Sequence, residues 1–240
     1  MNQFIFTLLK QLNSDLQSID LEEATIISRA QKSIVCIKSA LCKLKTFILN
    51  YTFKNEAEEI LFFKEIKPAI LSQLIYFLEI NNIESKRPIG SFEIQQNYLL
   101  SELEKLTSFF HNHLEFYRYY RMNSTFLDDI FFVRGREDLH LHLDNLMIYI
   151  DPDFSTSQDY MVAKIMANDR LEVFLKTELE ALTIKSSNLN WGQLGILGNS
   201  SLQWTDNKTA LVELIYALYA SGSLRNCLKR QLNINWLSVV

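Results

Sequence analysis

Residues that break helices are scarce in this sequence. Only 6 glycines and 3 prolines occur among 240 residues, although turns depend on the positive φ of glycine and the fixed φ of proline. We therefore expect long elements joined by few turns. The 16 phenylalanines and 10 tyrosines indicate a core packed largely by aromatic rings. The sequence predicts a mainly α-helical protein.

Disulfide and export signals are missing as well. The 3 cysteines are Cys36, Cys42 and Cys227, and a spacing of six places the first two on different helix faces. We expect buried, reduced thiols. The first ten residues lack the basic start and cleavage site of a signal peptide, and no stretch reaches 18 uninterrupted apolar residues. These features predict a cytoplasmic protein without a membrane partner.

No motif for catalysis or metal binding is convincing. The 4 histidines form two pairs, His111/His113 and His140/His142, and helical residues two apart point about 200° away from each other. The second pair could chelate an ion with Asp144 only in an extended segment. The sequence has no Gly-x-Ser-x-Gly elbow and no phosphate-binding loop. We expect no enzyme activity, no metal and no cofactor.

Apolar periodicity predicts several helices before residue 185. A capping box of Asp20 and Glu23 predicts the start of the second, and Asn55 is the expected cap of the third. Pro68 predicts either a kink or a new helix with proline in its first turn. The predicted helices span 3–18, 20–51, 55–85 with this interruption, 91–121, and from a cap at Ser155, Thr156 or Ser157 to Leu182.

The sequence changes in character near residue 185. Gly192, Gly195 and Gly198 fall within seven residues, and the segments 190–197 and 202–204 are more typical of strands or loops than of helix. A short apolar helix is expected over 210–220. The sequence predicts a helical domain over 1–184 and a small α+β domain over 185–240.

Positive charge is concentrated near the carboxyl terminus. From residue 199 onwards the chain has Lys208, Arg225, Lys229 and Arg230 against Asp206 and Glu213, a balance of +2. Because the net charge is −4, residues 1–198 carry −6. Arg225, Lys229 and Arg230 share one face if their segment is helical. The carboxyl-terminal segment is therefore the expected site for a polyanion.

An aromatic and basic run, Phe116–Met122, has two interpretations. Interleaved rings and arginines can stack on bases and neutralise phosphates. Alternatively, Phe116, Tyr119 and Tyr120 lie on a buried helix face, while Arg118 and Arg121 favour the helix carboxyl end. The second interpretation is favoured because the run ends a long predicted helix.

Several segments together resemble the RteC family, regulators associated with the excision of conjugative transposons. The similar segments are 86–90, 115–121 with 127–128 and 132–135, 154–160 with 163–169, and 202–205 with 208–222. The resemblance covers about residues 55 to 222. It implies a multi-helical N-terminal domain joined to a small C-terminal winged-helix-like α+β domain that binds DNA.

The same resemblance implies a transcriptional activator of excision genes whose partner is double-stranded DNA upstream of them. We expect Lys208, Arg225, Lys229 and Arg230 to be the DNA-binding residues, and a homodimer because operators often contain two half-sites. The family pattern continues beyond Gly222 through two more helices, whereas only 223–240 remain here, so a truncated DNA-reading part stays open. The alternative function is a helical protein–protein adaptor that uses the 92–121 helix.

Overall fold

The computed structural model describes residues 1–136, 151 and 153–193, together with Glu213 and Ala217. Two compact units divide the chain, Met1–Ser187 and Asn188–Val240. The predicted domain boundary at 184/185 stays a prediction.

The first unit is built from helices. They are α1 Asn2–Glu22, α2 Ile26–Leu49, α3 Glu56–Leu61, α4 Lys67–Lys86, α5 Phe92–Asn112, α6 Leu114–Arg121, α7 Asp128–Phe131 and α8 Asp159–Gln193, and a π-helical turn, Phe62–Ile66, joins α3 to α4. No helix in the described ranges is both long and apolar enough to cross a bilayer.

The second helix begins later than its capping box predicts. Thr25 is the N-cap of α2, and its side chain accepts a hydrogen bond from the amide of Ser28. Asp20 instead pairs with Arg29, and Glu23 pairs with Lys32. The predicted start at Asp20 is therefore wrong, whereas the predicted cap of α3 is confirmed because the Asn55 side chain accepts from the Glu58 amide.

Pro68 occupies the first turn of α4, which is one of its two predicted positions. Proline has no N–H to donate to the carbonyl of Lys64, four residues earlier. The chain accommodates this loss in the π-turn immediately before α4. The π-turn alters the angular spacing of side chains around the helix, and this spacing matters for the lysines described below.

Helix α4 lies at the centre of the first unit, because its side chains enter three apolar clusters. Ile70 packs in a cluster with α1, α2 and the π-turn. Ile80 and Ile83 pack in a second cluster with α2, α5 and α8, and Ile75 packs against Ala163 and Ala167 of α8. A helix that is apolar on several faces in this way is typical of a buried element.

The cysteine prediction is only partly correct. Cys36 and Cys42 both lie on α2 as free thiols. Cys36 is half-buried, whereas Cys42 is exposed, so the prediction of a buried thiol is wrong there. Cys227 lies outside the described residues.

The predicted winged-helix-like α+β domain over 185–240 is wrong. Helix α8 continues to Gln193, beyond its predicted end at Leu182, so residues 190–193 are helical rather than strand or loop. Glu213 and Ala217 are also helical. The described part of the chain contains helices and no strand, so the structure supports a mainly helical protein and gives no support to the sheet that a winged helix requires.

Candidate functional site

The four predicted DNA-binding residues cannot be placed. Lys208, Arg225, Lys229 and Arg230 lie outside the described residues. Their assignment rests on the local surplus of positive charge and stays a prediction. The described residues instead show how the other segments with family resemblance are arranged.

Two lysines at the π-turn bring two of these segments together. The Lys64 ammonium lies 2.8 and 2.9 Å from the two carboxylate oxygens of Asp128 and donates to the Ser124 carbonyl at 3.0 Å. The Tyr119 hydroxyl donates to the same carboxylate at 2.6 Å. Lys64 therefore fixes the connection between α6 and α7 to the π-turn.

Lys67 makes the corresponding contact with the start of α8. Its side chain is buried, and its ammonium donates to the Asp159 carboxylate and to the Phe154 carbonyl. The Ser155 hydroxyl oxygen lies 3.3 Å away. The ammonium also lies 5.5 and 4.6 Å from the ring centroids of Phe63 and Phe154, where a ring face attracts a cation.

Burial disfavours the charged forms of Lys67 and Asp159. Loss of water lowers the pKa of Lys67 and raises the pKa of Asp159, while the attraction between the two groups counteracts both effects. Burial, and then the hydrogen bond to Asp128, also raise the pKa of Tyr119. Perturbed groups of this kind occur both in active sites and in structural ion pairs. The enclosed position of Lys67 and its protein partners favour the structural role.

Other residues of the same segments also join helices. The Arg134 guanidinium lies 2.6 Å from the Glu59 carboxylate and donates to the Asp153 carbonyl at 3.0 Å. Arg87 reaches Glu178 of α8 at 2.7 Å. The segments with family resemblance thus supply the ion pairs that fasten α3, α4 and α8 to their neighbours.

The structural interpretation of the aromatic and basic run is confirmed. Tyr119 is buried, and Phe116 and Tyr120 pack against the same apolar cluster. Arg121 pairs with Asp169 of α8 at 2.5 Å. These side chains are therefore engaged within the helical unit, and base stacking is not needed to explain them.

Most cations of the helical unit are already neutralised. The lysines and arginines in described ion pairs are Arg29, Lys32, Lys45, Lys64, Lys67, Arg87, Lys105, Arg121, Arg134, Arg136, Lys164 and Lys176. A cation that faces a carboxylate contributes less to the attraction of phosphates than a free one. These pairs therefore reduce the attraction of the described surface for a polyanion.

No metal site is apparent where the structure can be described. No group of three or more His, Cys, Asp and Glu side chains there could hold an ion. His113 interrupts the predicted 91–121 helix and separates α5 from α6. His140 and His142 lie outside the described residues.

The sequence alone did not identify Lys64, Lys67 and Asp159 as linked residues. A signal was present, because Lys64, Glu65 and Lys67 interrupt a largely apolar stretch that continues into α4. Charged residues are rarely buried without a partner. The partners of the two lysines lie 64 and 92 positions away along the chain, beyond the reach of any local pattern.

Comparison with known proteins gives one family. No curated protein and no solved structure matches the chain. A family model described as RteC protein matches residues 61–237, which include α4 to α8 and all four predicted DNA-binding residues. The chain belongs to the RteC family.

Proposed function

We propose that this protein is a DNA-binding transcriptional activator that controls the excision genes of a conjugative transposon. Membership of the RteC family suggests involvement in the regulation of excision. The family match over 61–237 is the observation that carries the proposal, because it extends through the cationic segment. Family membership does not itself show direct DNA binding or transcriptional activation, and our proposal adds both.

Charge distribution supports a DNA contact near the carboxyl terminus. Residues 1–198 carry −6 and residues 199–240 carry +2, which together give the net charge of −4. A phosphate backbone is attracted to the cationic part and repelled by the rest. Lys208, Arg225, Lys229 and Arg230 are the proposed contacts, and they would set affinity rather than base choice.

The salt dependence of binding tests these contacts. The double variant Arg225→Ala/Arg230→Ala is expected to weaken binding to all DNA sequences, since it removes two phosphate contacts. The slope of log K against log salt should become shallower by about 2, because each contact contributes about 0.9. Fluorescence anisotropy with a duplex from upstream of the excision genes measures both quantities at several salt concentrations.

A matched control separates local contact from total charge. Lys10→Ala/Lys38→Ala also removes two positive charges, from exposed positions on α1 and α2, and should leave the slope nearly unchanged. Equal slopes for the Arg225→Ala/Arg230→Ala protein and the wild type would exclude these two arginines as contacts. Absence of binding by the wild type at low salt would contradict DNA binding altogether and favour the adaptor function.

A homodimer is part of the proposal. Dimeric regulators bind two half-sites separated by about one helical turn of DNA, or a multiple of it. Analytical ultracentrifugation with the operator duplex should show two protein chains for each duplex. A single chain on an operator of full length would contradict the dimer but not DNA binding.

A further inference from the structure

Helices α4 and α8 run side by side in the same direction. Lys67 and Asp159 meet at their first turns. Further along, the Arg170 guanidinium lies 4.4 Å from the Tyr76 ring centroid, and Arg87 meets Glu178 beyond the end of α4. The residue numbers rise together on both helices, which shows that the helices are parallel.

Large side chains form one part of the apolar contact, where Leu171 and Leu175 of α8 pack in a cluster with Ile80 and Ile83. Nearer the charged pair, small side chains of α8 form another part. Ala163 and Ala167 of α8 are fully buried against Ile75. Small side chains at four-residue spacing present similar surfaces on successive turns. Helices that pack through such surfaces can shift by one turn, about 5.4 Å.

The buried charges do distinguish one register from the next. Asp159 is 1% exposed and Lys67 is 5% exposed. If α8 moved by one turn along α4, Asp159 would lie level with Phe63 or Ile70 instead of Lys67. Lys67 would then lie level with Ser155 or Ala163, and neither side chain carries a compensating charge.

The other ion pairs between α8 and the α4 region are less deeply buried than Lys67–Asp159. The side chains of Lys164 and Glu79 are 16% and 33% exposed, and that of Arg87, which contacts both Glu84 and Glu178, is 16% exposed. Long side chains with access to water can follow a shift, because water solvates them when a partner is lost. Lys67 and Asp159, with side chains 7% and 2% exposed, form the most deeply buried of these ion pairs, so a shift of register costs this pair the most.

We propose that Lys67 and Asp159 form a register lock that holds α8 at one position along α4. The π-turn and Pro68 belong to this lock, because they set the direction of Lys67 at the first turn of α4. A buried polar pair can specify one arrangement even where apolar residues would be at least as stabilising. This role is independent of DNA binding.

Alanine methyl spectra of the full chain test the lock. In wild-type protein labelled with ¹³C-methyl alanine, Ala163 and Ala167 should each give one resonance. The apolar double variant Lys67→Met/Asp159→Leu should fold and give two or more resonances, or broadened ones, for each alanine. The matched variant Lys64→Met/Asp128→Leu removes the other lysine pair, which does not involve α8, and should keep single resonances.

Two results would overturn the lock. Single, sharp resonances at unchanged positions in Lys67→Met/Asp159→Leu would show that packing alone defines the register. Failure of that variant to fold would also contradict the proposal, because the pair would then supply stability rather than register. Lys67→Met alone is expected to destabilise the protein, since it leaves Asp159 buried without its cation.

Discussion

At the scale of single residues, Asn168 on α8 has a buried side-chain amide whose polar atoms make no described hydrogen bond. Its side chain is 1% exposed, and within the described structure neither its amide nitrogen nor its oxygen has a hydrogen-bond partner. An unsatisfied buried polar group costs about 1–3 kcal/mol. Asn168→Leu, which keeps the branching at Cγ, is therefore expected to raise the free energy of unfolding by about 1 kcal/mol. Urea denaturation measures this change.

The appropriate control is an exposed asparagine in a helix. Asn97→Leu on α5 makes the same change in helix propensity, which accounts for about 0.5 kcal/mol, without removing a buried amide. The gain at Asn168 should exceed the gain at Asn97. A loss of stability in Asn168→Leu would mean that the added volume or a lost partner outweighs the orphaned amide, and it would refute the prediction.

At the scale of elements, the central position of α4 makes its buried face the most sensitive surface of the first unit. Ile83 is 2% exposed and packs in a cluster to which α2, α5 and α8 also contribute. Ile83→Ala should lower the free energy of unfolding by about 2–5 kcal/mol. Leu78 lies on the same helix but is 43% exposed. Leu78→Ala should therefore change the free energy of unfolding by only about 0.5 kcal/mol. Similar losses in both variants would show that α4 is not held from several sides.

Helix positions were predictable from the sequence where the signal was local. The Asn55 cap needs only the Glu58 amide, three residues later. Asp20 and Glu23 look like a capping box, but their partners are Arg29 and Lys32 on the following helix. The same residue types serve both purposes, and only the tertiary structure decides between them. No sequence pattern predicts the π-turn either, since Pro68 is compatible with a kink or with the start of a new helix.

The linked lysines show why the site was harder to predict than the helices. Apolar periodicity identifies α4, but it does not say that Lys64 and Lys67 point inward. Their anions, Asp128 and Asp159, are the first residues of two different helices, α7 and α8. A buried charge needs a partner of opposite charge, and only the tertiary structure shows which residue that is.

At the scale of the whole molecule, the winged-helix expectation failed because glycine spacing and family resemblance do not themselves show a sheet. Gly192 lies in the last turn of α8, although the sequence predicted a strand or loop there. The charge asymmetry, in contrast, follows directly from composition and is independent of fold. The proposal of DNA binding therefore depends on charge and family membership, and no longer on a winged helix.

The boundaries of the family match do not coincide with those of a folding unit. Residues 1–60 lie outside the match, yet Ile37, Leu44 and Ile48 of α2 are almost completely buried. They share a cluster with Phe62 and Phe63 of the π-turn. Helices α1 and α2 thus complete the core of the matched region.

Truncation tests this dependence in steps. The fragment 25–240 lacks α1 but keeps α2, so it should unfold cooperatively at a lower temperature than the full chain. The fragment 61–240 loses α2 as well and exposes the phenylalanines of the π-turn, so it should retain helical circular dichroism without a cooperative thermal transition. A cooperative transition in 61–240 near the temperature of the full chain would show that the matched residues form their own core. The buried positions of Ile37, Leu44 and Ile48 argue against that outcome, because their removal would leave one side of α4 without an apolar partner.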